Sequence, residues 1–344
     1  MAVRRILLGM SGGVDSAAAA VLLAREGCEV EGATLLLTGD GSAASDAAAA
    51  AAVLGIPHRS VDLRETFRRE VMDVFAAEYR AGRTPNPCVL CNRAVKFGAM
   101  LRYALENGFD GVATGHYAIL RREGNRVCLY ASPSRKDQSY MLYSLSQEQL
   151  SHAVFPLGAL EKDEVRAIAR EAGLPVAAKP DSQDICFVPD GDYAAFLARY
   201  AGEKFLPGDF VDAQGNVLGR HSGLARYTVG QRKGLGSFGR PMYVTALDPA
   251  HNRVVLGEEG SQYRADLTAE DVNWIPFDAP PAPLRCRAKI RYHAAPASCT
   301  VTPLPGGRAA VVFDEPQRSV TPGQSAVFYD GDRVLGGGII EGFV

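Results

Sequence analysis

Apolar and polar positions divide the chain into two stretches of different texture. Residues 3–10 (VRRILLGM) form a short apolar run ended by glycines, as a buried strand does. Residues 14–25 read as a helix that stops at Gly27, and 29–37 as a second strand. The alanine run 43–54 is a helix by intrinsic propensity. A third strand is expected over 58–63, and an amphipathic helix over 65–81 closed by Gly82. Asp110 to Thr114 supplies a fourth strand, with Gly115 directly after it. Strands alternating with helices predict a parallel sheet covered on both faces.

After about residue 195 the helical periodicity fades. Gly-rich turns separate short strands, as in GDFVDAQGNVLG (208–219), and twelve of the 20 prolines lie between Pro207 and Pro322. Turn-dense sequence of this kind predicts β-barrel or sandwich modules. The expected architecture is α/β: a Rossmann-like parallel-sheet domain over 1–194, a central β-rich domain over 195–263, and a C-terminal β-barrel over 264–344.

At 344 residues and 47% hydrophobic, the chain can bury its core without disulfide or metal staples. The 37 basic and 39 acidic residues leave a formal charge of -2, so any nucleic-acid footprint must come from local patches. Seven cysteines at irregular spacing make a poor disulfide framework. Met1 to Met10 is too short for a signal peptide, and Ala47 to Ile56 is too short to span a bilayer. A cytoplasmic location with reduced thiols is therefore expected.

Residues 9–16 read GMSGGVDS, after a strand and opening a helix. Gly12 and Gly13 permit backbone conformations closed to other residues, and the helix start aims N–H groups and a positive dipole end at the loop. Phosphates bind at such a terminus. Ser11 and Ser16 add hydroxyls, and Asp15 can help hold Mg2+ or cap the helix. The lysine of GxxxxGK[ST] is absent, and GxGxxG is not matched. The segment resembles the pyrophosphate loop of PP-loop ATPases, which cleave ATP between the α and β phosphates.

Residues 83–98 read RTPNPCVLCNRAVKFG. Nearby Arg93 and Lys96, with a helix start, are expected to lower the thiol pKa of Cys88 or Cys91. Cys186 lies in KPDSQDICFV (179–188), and its polar, Pro-rich flanks argue against burial. A zinc site at Cys88-x-x-Cys91 lacks a second CxxC or HxxxH to complete it. Three cysteines, Cys88, Cys91 and Cys186, are a candidate ligand set for a [4Fe–4S] cluster.

GMSGGVDS, TPNPCVLCNRAVKFG, ATGHYA (113–118), KDQSYMLYSLSQEQL (136–150), KPDSQDICFV and HSGLARYTVGQRKGLG (221–236) occur in that order. Together they resemble the tRNA-specific 2-thiouridylase family over essentially the full chain. The resemblance implies adenylation of C2 of the wobble uridine in tRNAs for lysine, glutamate and glutamine, then replacement of that oxygen by sulfur from a donor protein such as a cysteine desulfurase or relay protein. It implies a persulfide on Cys186 and a second catalytic cysteine at Cys91. The ATP site maps to Gly9, Met10, Ser11, Gly12, Gly13, Val14, Asp15, Ser16, Leu35 and Gly115. Asn86, Pro87 and Cys88 match the segment that meets the target base. Lys136, Asp137, Gln138, His116, Arg291, Tyr292 and Gln324 match tRNA contacts. Leu35 stands where methionine is common, a volume-conserving change. Cys88 stands where some members carry an aspartate thought to act as general base, which leaves its role open.

In RCRAKIRY (285–292), strand period two places Arg285, Arg287, Lys289 and Arg291 on one face and Cys286, Ala288, Ile290 and Tyr292 on the other. No acid interrupts the basic face, which suits phosphate contact. GQRKGLG (230–236) touches RNA or packs between domains. Two other readings stay open: a PP-loop ligase acting on a small carboxylate, and a non-catalytic RNA-binding module.

Overall fold

The computed structural model describes residues 3–39, 42–174, 185–202, 205–280 and 283–343. Strands β1 (Arg5–Gly9), β2 (Glu29–Leu36), β3 (His58–Asp62), β4 (Gly111–Ala113) and β7 (Ala153–Val154) form one parallel sheet in the order β3-β2-β1-β4-β7. Between β4 and β7 the chain makes an antiparallel hairpin, β5 (Ala118–Glu123) and β6 (Arg126–Ala131). Ile6, Leu7 and Leu8 are fully buried, as an apolar run covered on both faces requires. Helix α1 (Val14–Arg25) lays its alanines on one face of the sheet and packs beside α2 (Ser42–Leu54) and the helix Lys162–Glu171.

A continuous helix over 64–80, wide-turned at its centre, and another over 87–106 cover the other side. In the second, Cys91–Ala99 is a π-helical stretch. There, a Cβ on Gly98 would stand 2.9 Å from the Arg93 carbonyl oxygen, five residues back, so the wide turn suits a glycine at that position. The helix Tyr193–Ala201 belongs with these elements: Phe196 and Leu197 join Phe67, Phe75 and Phe187 in one core cluster.

The rest is β-structure. Strands β8 (Gly208–Val211), β9 (Val217–His221), β10 (Tyr243–Asp248) and β11 (Arg253–Gly257) form a small sheet ordered β10-β11-β8-β9. Strands β12 (Tyr263–Trp274), β13 (Leu284–Lys289), β14 (Ala297–Leu304), β15 (Arg308–Arg318), β16 (Ser325–Asp330) and β17 (Arg333–Gly342) run antiparallel, and pairing of β12 with β17 closes them into a barrel. The α/β reading with a terminal barrel therefore holds. The hairpin β5–β6 adds to the barrel sheet through Tyr130 opposite Arg333, so the first domain and the barrel share a sheet edge. No helix among the described residues is long and apolar enough to cross a membrane.

Candidate active site

β1 has β2 on one side and β4 on the other, so the crevice beyond their carboxyl ends is a topological switch point. The segment Gly9–Ser16 leaves β1 there. Gly12 turns at φ 70°, in the left-handed region, and Gly13 precedes α1 with no side-chain cap. Ser16 Oγ accepts from the Ser11 N–H at 3.3 Å and donates to the Gly13 carbonyl at 3.1 Å, shaping the loop from within. A Cβ on Gly115, just past β4, would stand 2.9 Å from the Asp15 carbonyl carbon and 3.0 Å from Ser16 N. The end of β4 and the start of α1 thus meet backbone to backbone. Leu35, half-buried near the end of β2, packs against the adjoining core.

Asp15 neither caps the helix nor stands alone. Its carboxylate accepts from Tyr117 Oη at 2.8 Å and from Lys162 Nζ at 2.7 and 2.9 Å. The sequence reading missed both partners. One signal was available: Lys162 opens a helix, where a cation opposes the dipole, so another interaction must hold it there. Lys162 neutralises a carboxylate that would otherwise repel phosphates entering at the α1 terminus. The loop thus fits a polyphosphate, and Asp15 is the one loop carboxylate suited to a Mg2+ carried in on phosphate oxygens.

The helix 87–106 begins with Asn86, whose Oδ1 accepts from the Cys88 N–H at 3.2 Å. The π stretch stacks Lys96 near Cys91. Cys88, Cys91, Cys186 and Lys96 lie close enough to feel one another's charge, and Lys96 also reaches His116. Phe97 and His116 pack with ring centroids 6.0 Å apart. His116 is the neighbour of Gly115, so the cysteine helix and the nucleotide loop meet through residues 114–116.

The expected lowering of the thiol pKa values by Arg93 and Lys96 is corrected. Cys91 is buried, whereas Cys88 and Cys186 are exposed. Burial pushes the Cys91 thiol up to about 12, although Lys96 pulls the other way. Desolvation also raises Cys88 and Cys186, so loss of hydration outweighs the lysine at all three. Arg93 does not contribute, because it turns away to pair with Asp271 on β12. Among the described residues no three His, Cys, Asp or Glu side chains lie close enough to hold a metal ion. The [4Fe–4S] ligand set expected at Cys88, Cys91 and Cys186 gains no support from this arrangement. The segment 179–184, between the helices and Cys186, lies outside the described residues.

Comparison with known proteins agrees with this layout. Residues 4–190 match the family model "tRNA methyl transferase HUP domain", 194–258 the "PRC-barrel domain" and 264–340 the "Aminomethyltransferase beta-barrel domain". A protein of Acetivibrio thermocellus named tRNA-specific 2-thiouridylase MnmA is 49% identical, covering 99% of this chain and 100% of that one. Proteins of the same name from Symbiobacterium thermophilum and Clostridium perfringens are 47% and 46% identical over 98% and 99% of this chain. The chain belongs to the tRNA-specific 2-thiouridylase family.

The positions expected to contact RNA gather from distant parts of the chain. Gln324 Nε2 donates to the Thr84 carbonyl at 2.8 Å, fastening the segment before Asn86 and Pro87 to the barrel. Asn86 Nδ2 points at Met141 Sδ, 3.3 Å away. Tyr292 Oη donates to the Asp137 carbonyl at 2.9 Å, so the 136–138 turn abuts the end of RCRAKIRY. Asp137 and Gln138 spend their side chains on that turn: Asp137 accepts from the Ser132 and Ser139 N–H groups, and Gln138 from the Tyr117 N–H. Arg135 and Lys136 are exposed.

The basic stripe is narrower than period two implies. Arg285 pairs with Asp314 across the sheet, so an acid does interrupt it. Lys289 is half-buried over the rings of Tyr140 and Tyr292, and burial lowers its pKa. Arg291 lies past the end of β13 and turns inward, donating to the Val229 and Ser319 carbonyls and to Thr321 Oγ1. Its role in this structure is an inter-domain strut. Gly230 packs on the same joint: a Cβ there would stand 2.1 Å from Ser319 Oγ, so the start of GQRKGLG lies between domains. His116 is also buried, bonded to Thr114 Oγ1 at 2.7 Å and set against Phe155; burial lowers its pKa and keeps the imidazole neutral.

Proposed function

We propose that this chain uses ATP to replace the C2 oxygen of the wobble uridine of tRNA with sulfur, acting on the tRNAs for lysine, glutamate and glutamine. The meeting of the nucleotide loop with the cysteine helix through Gly115 and His116 carries this reading. Family membership supports tRNA uridine as the substrate class.

On this reading, the α1 terminus and Ser11 to Ser16 hold the triphosphate, and Leu35 packs against the adenine. Lys162 offsets the Asp15 charge, and Asp15 is the protein group that would meet Mg2+, which supplies charge neutralisation on the phosphates. The unstacked uridine enters beside Asn86, Pro87 and Cys88. Its C2 oxygen attacks the α phosphorus, pyrophosphate leaves, and C2 carries AMP.

Cys186, exposed, accepts a persulfide from a sulfur-donor protein. Cys91, buried and protonated, remains inert until it faces that persulfide. Its sulfur then attacks Cys186 Sγ, forming the Cys91–Cys186 disulfide and expelling hydrosulfide. Hydrosulfide adds at C2 and AMP departs with the oxygen. A thiol reductant restores the pair. His116 shapes the pocket floor, and Lys136, Tyr292, Gln324 and Arg291 hold or frame the RNA face.

The test is mass spectrometry of tRNA nucleosides after incubation with ATP, Mg2+ and a sulfur source. 2-Thiouridine should appear with wild type and vanish with Cys186→Ser and with Cys91→Ser, while ATP binding survives. Full thiolation by either variant sinks the assignment. AMP formation stimulated by a small carboxylate and ammonia, and not by tRNA, would favour the ligase alternative.

A further inference from the structure

The barrel contains two cysteines that the proposed chemistry leaves unused. Cys286 on β13 and Cys299 on β14 stand directly opposite each other in the antiparallel ladder. Their sulfurs are 3.8 Å apart. Cys286 is 8% exposed and Cys299 is fully buried, beside Val301 and Phe313 in the barrel core. Directly opposed residues of antiparallel strands have Cα atoms about 4.5–5.5 Å apart. That lies within the roughly 4.4–6.8 Å over which a disulfide closes without backbone movement. Side-chain rotation alone can bring the sulfurs to bonding distance. The two thiols share a hydrogen bond, and the Arg285 guanidinium beside them favours an anion on the pair.

The pair brackets residues 287–298, which include Arg287, Lys289, Arg291 and Tyr292. We propose that Cys286 and Cys299 form a reversible oxidation site, closed by a small peroxide, that ties together the two ends of this segment. Peroxide arrives at Cys286, the more open sulfur, with the pair's shared proton passed to Cys299. The Cys286 sulfur attacks one oxygen, the O–O bond breaks, and the departing hydroxide takes the Cys299 proton to leave as water, giving a sulfenic acid and a Cys299 thiolate. The Cys299 sulfur attacks Cys286, the S–O bond breaks, and a second water departs. Two thiols lose two electrons and two protons, and one hydrogen peroxide becomes two waters. A dithiol reductant reverses the bond.

The experiment treats the full-length Cys91→Ser, Cys186→Ser protein with hydrogen peroxide, then combines peptide mass mapping with thermal unfolding. That background removes the disulfide expected in catalysis, and neither ATP nor RNA is needed, so the outcome is independent of the thiolation reading. The expected result is a linked peptide pair containing Cys286 and Cys299, with Tm raised by roughly 5–10 °C for a loop of this length. Dithiothreitol should abolish both, and Cys299→Ala should prevent both. If Cys299→Ala does not fold, Cys286→Ser provides the same control from the more exposed strand position. Sulfinic acid at Cys286 without a link, or a link with unchanged Tm, would overturn the proposal.

Discussion

Adding one methyl group at Gly115 tests the nucleotide loop most directly. The Cβ of Gly115→Ala would stand 2.9 Å from the Asp15 carbonyl carbon, whereas ordinary contact begins at 3.4 Å, so about 0.5 Å must be gained. The neighbours are backbone and a Cβ, not the far end of a flexible side chain, so the start of α1 itself must shift. Overpacking of this kind costs about 1–3 kcal/mol. Taken from nucleotide binding, that corresponds to a Kd about 5- to 150-fold weaker. Isothermal titration with a non-hydrolysable ATP analogue reads the affinity, and thermal unfolding reads any share absorbed by stability. Gly39→Ala is the control, because a Cβ there meets nothing within 4 Å. Wild-type affinity and unchanged Tm in Gly115→Ala would refute the close meeting of the β4 end with the start of α1.

Lys162→Met should lower stability by about 1–3 kcal/mol, because Asp15 loses its cation while remaining partly buried; calorimetric unfolding checks it. Alkylation by iodoacetamide should be faster at exposed Cys186 than at buried Cys91 near neutral pH. Because burial raises the Cys91 pKa to about 12, its rate should climb as pH approaches that value, and the stability due to its protonated form should fade between the ordinary thiol value and about 12; site-resolved mass spectrometry across pH reads the first and pH-dependent unfolding the second. Arg287→Ala should reduce the salt slope of tRNA binding by roughly 1, the share of one phosphate contact. Arg291→Ala should lower Tm instead, since three hydrogen bonds at the domain joint are lost.

The parts of this architecture that depend on neighbours in sequence could be read in advance. Strand, glycine turn and helix follow one another within residues 5–25, and each is locally determined. That the lysine opening the helix at 162 pairs with Asp15 could not be read, because 147 residues separate the two. The two-residue strand β7 carries too little pattern to see, and the hairpin's attachment to the barrel rests on pairing between Tyr130 and Arg333. The thiol expectation erred because it counted nearby charges in sequence. In space, Arg93 points to Asp271, and burial decides the sign. The stripe 285–292 erred for a related reason: alternation places a side chain on a face, but the acid that neutralises it lies two strands away.

The seam between the hairpin and the barrel makes the three segments poor building blocks for exchange. A barrel cut away at its leading linker would take Arg333 from opposite Tyr130 and the Asp332 carbonyl from the Ala131 N–H. A barrel transplanted from a relative would have to reproduce that edge as well as its own closure. A change on either side of that seam must therefore keep Tyr130 opposite Arg333.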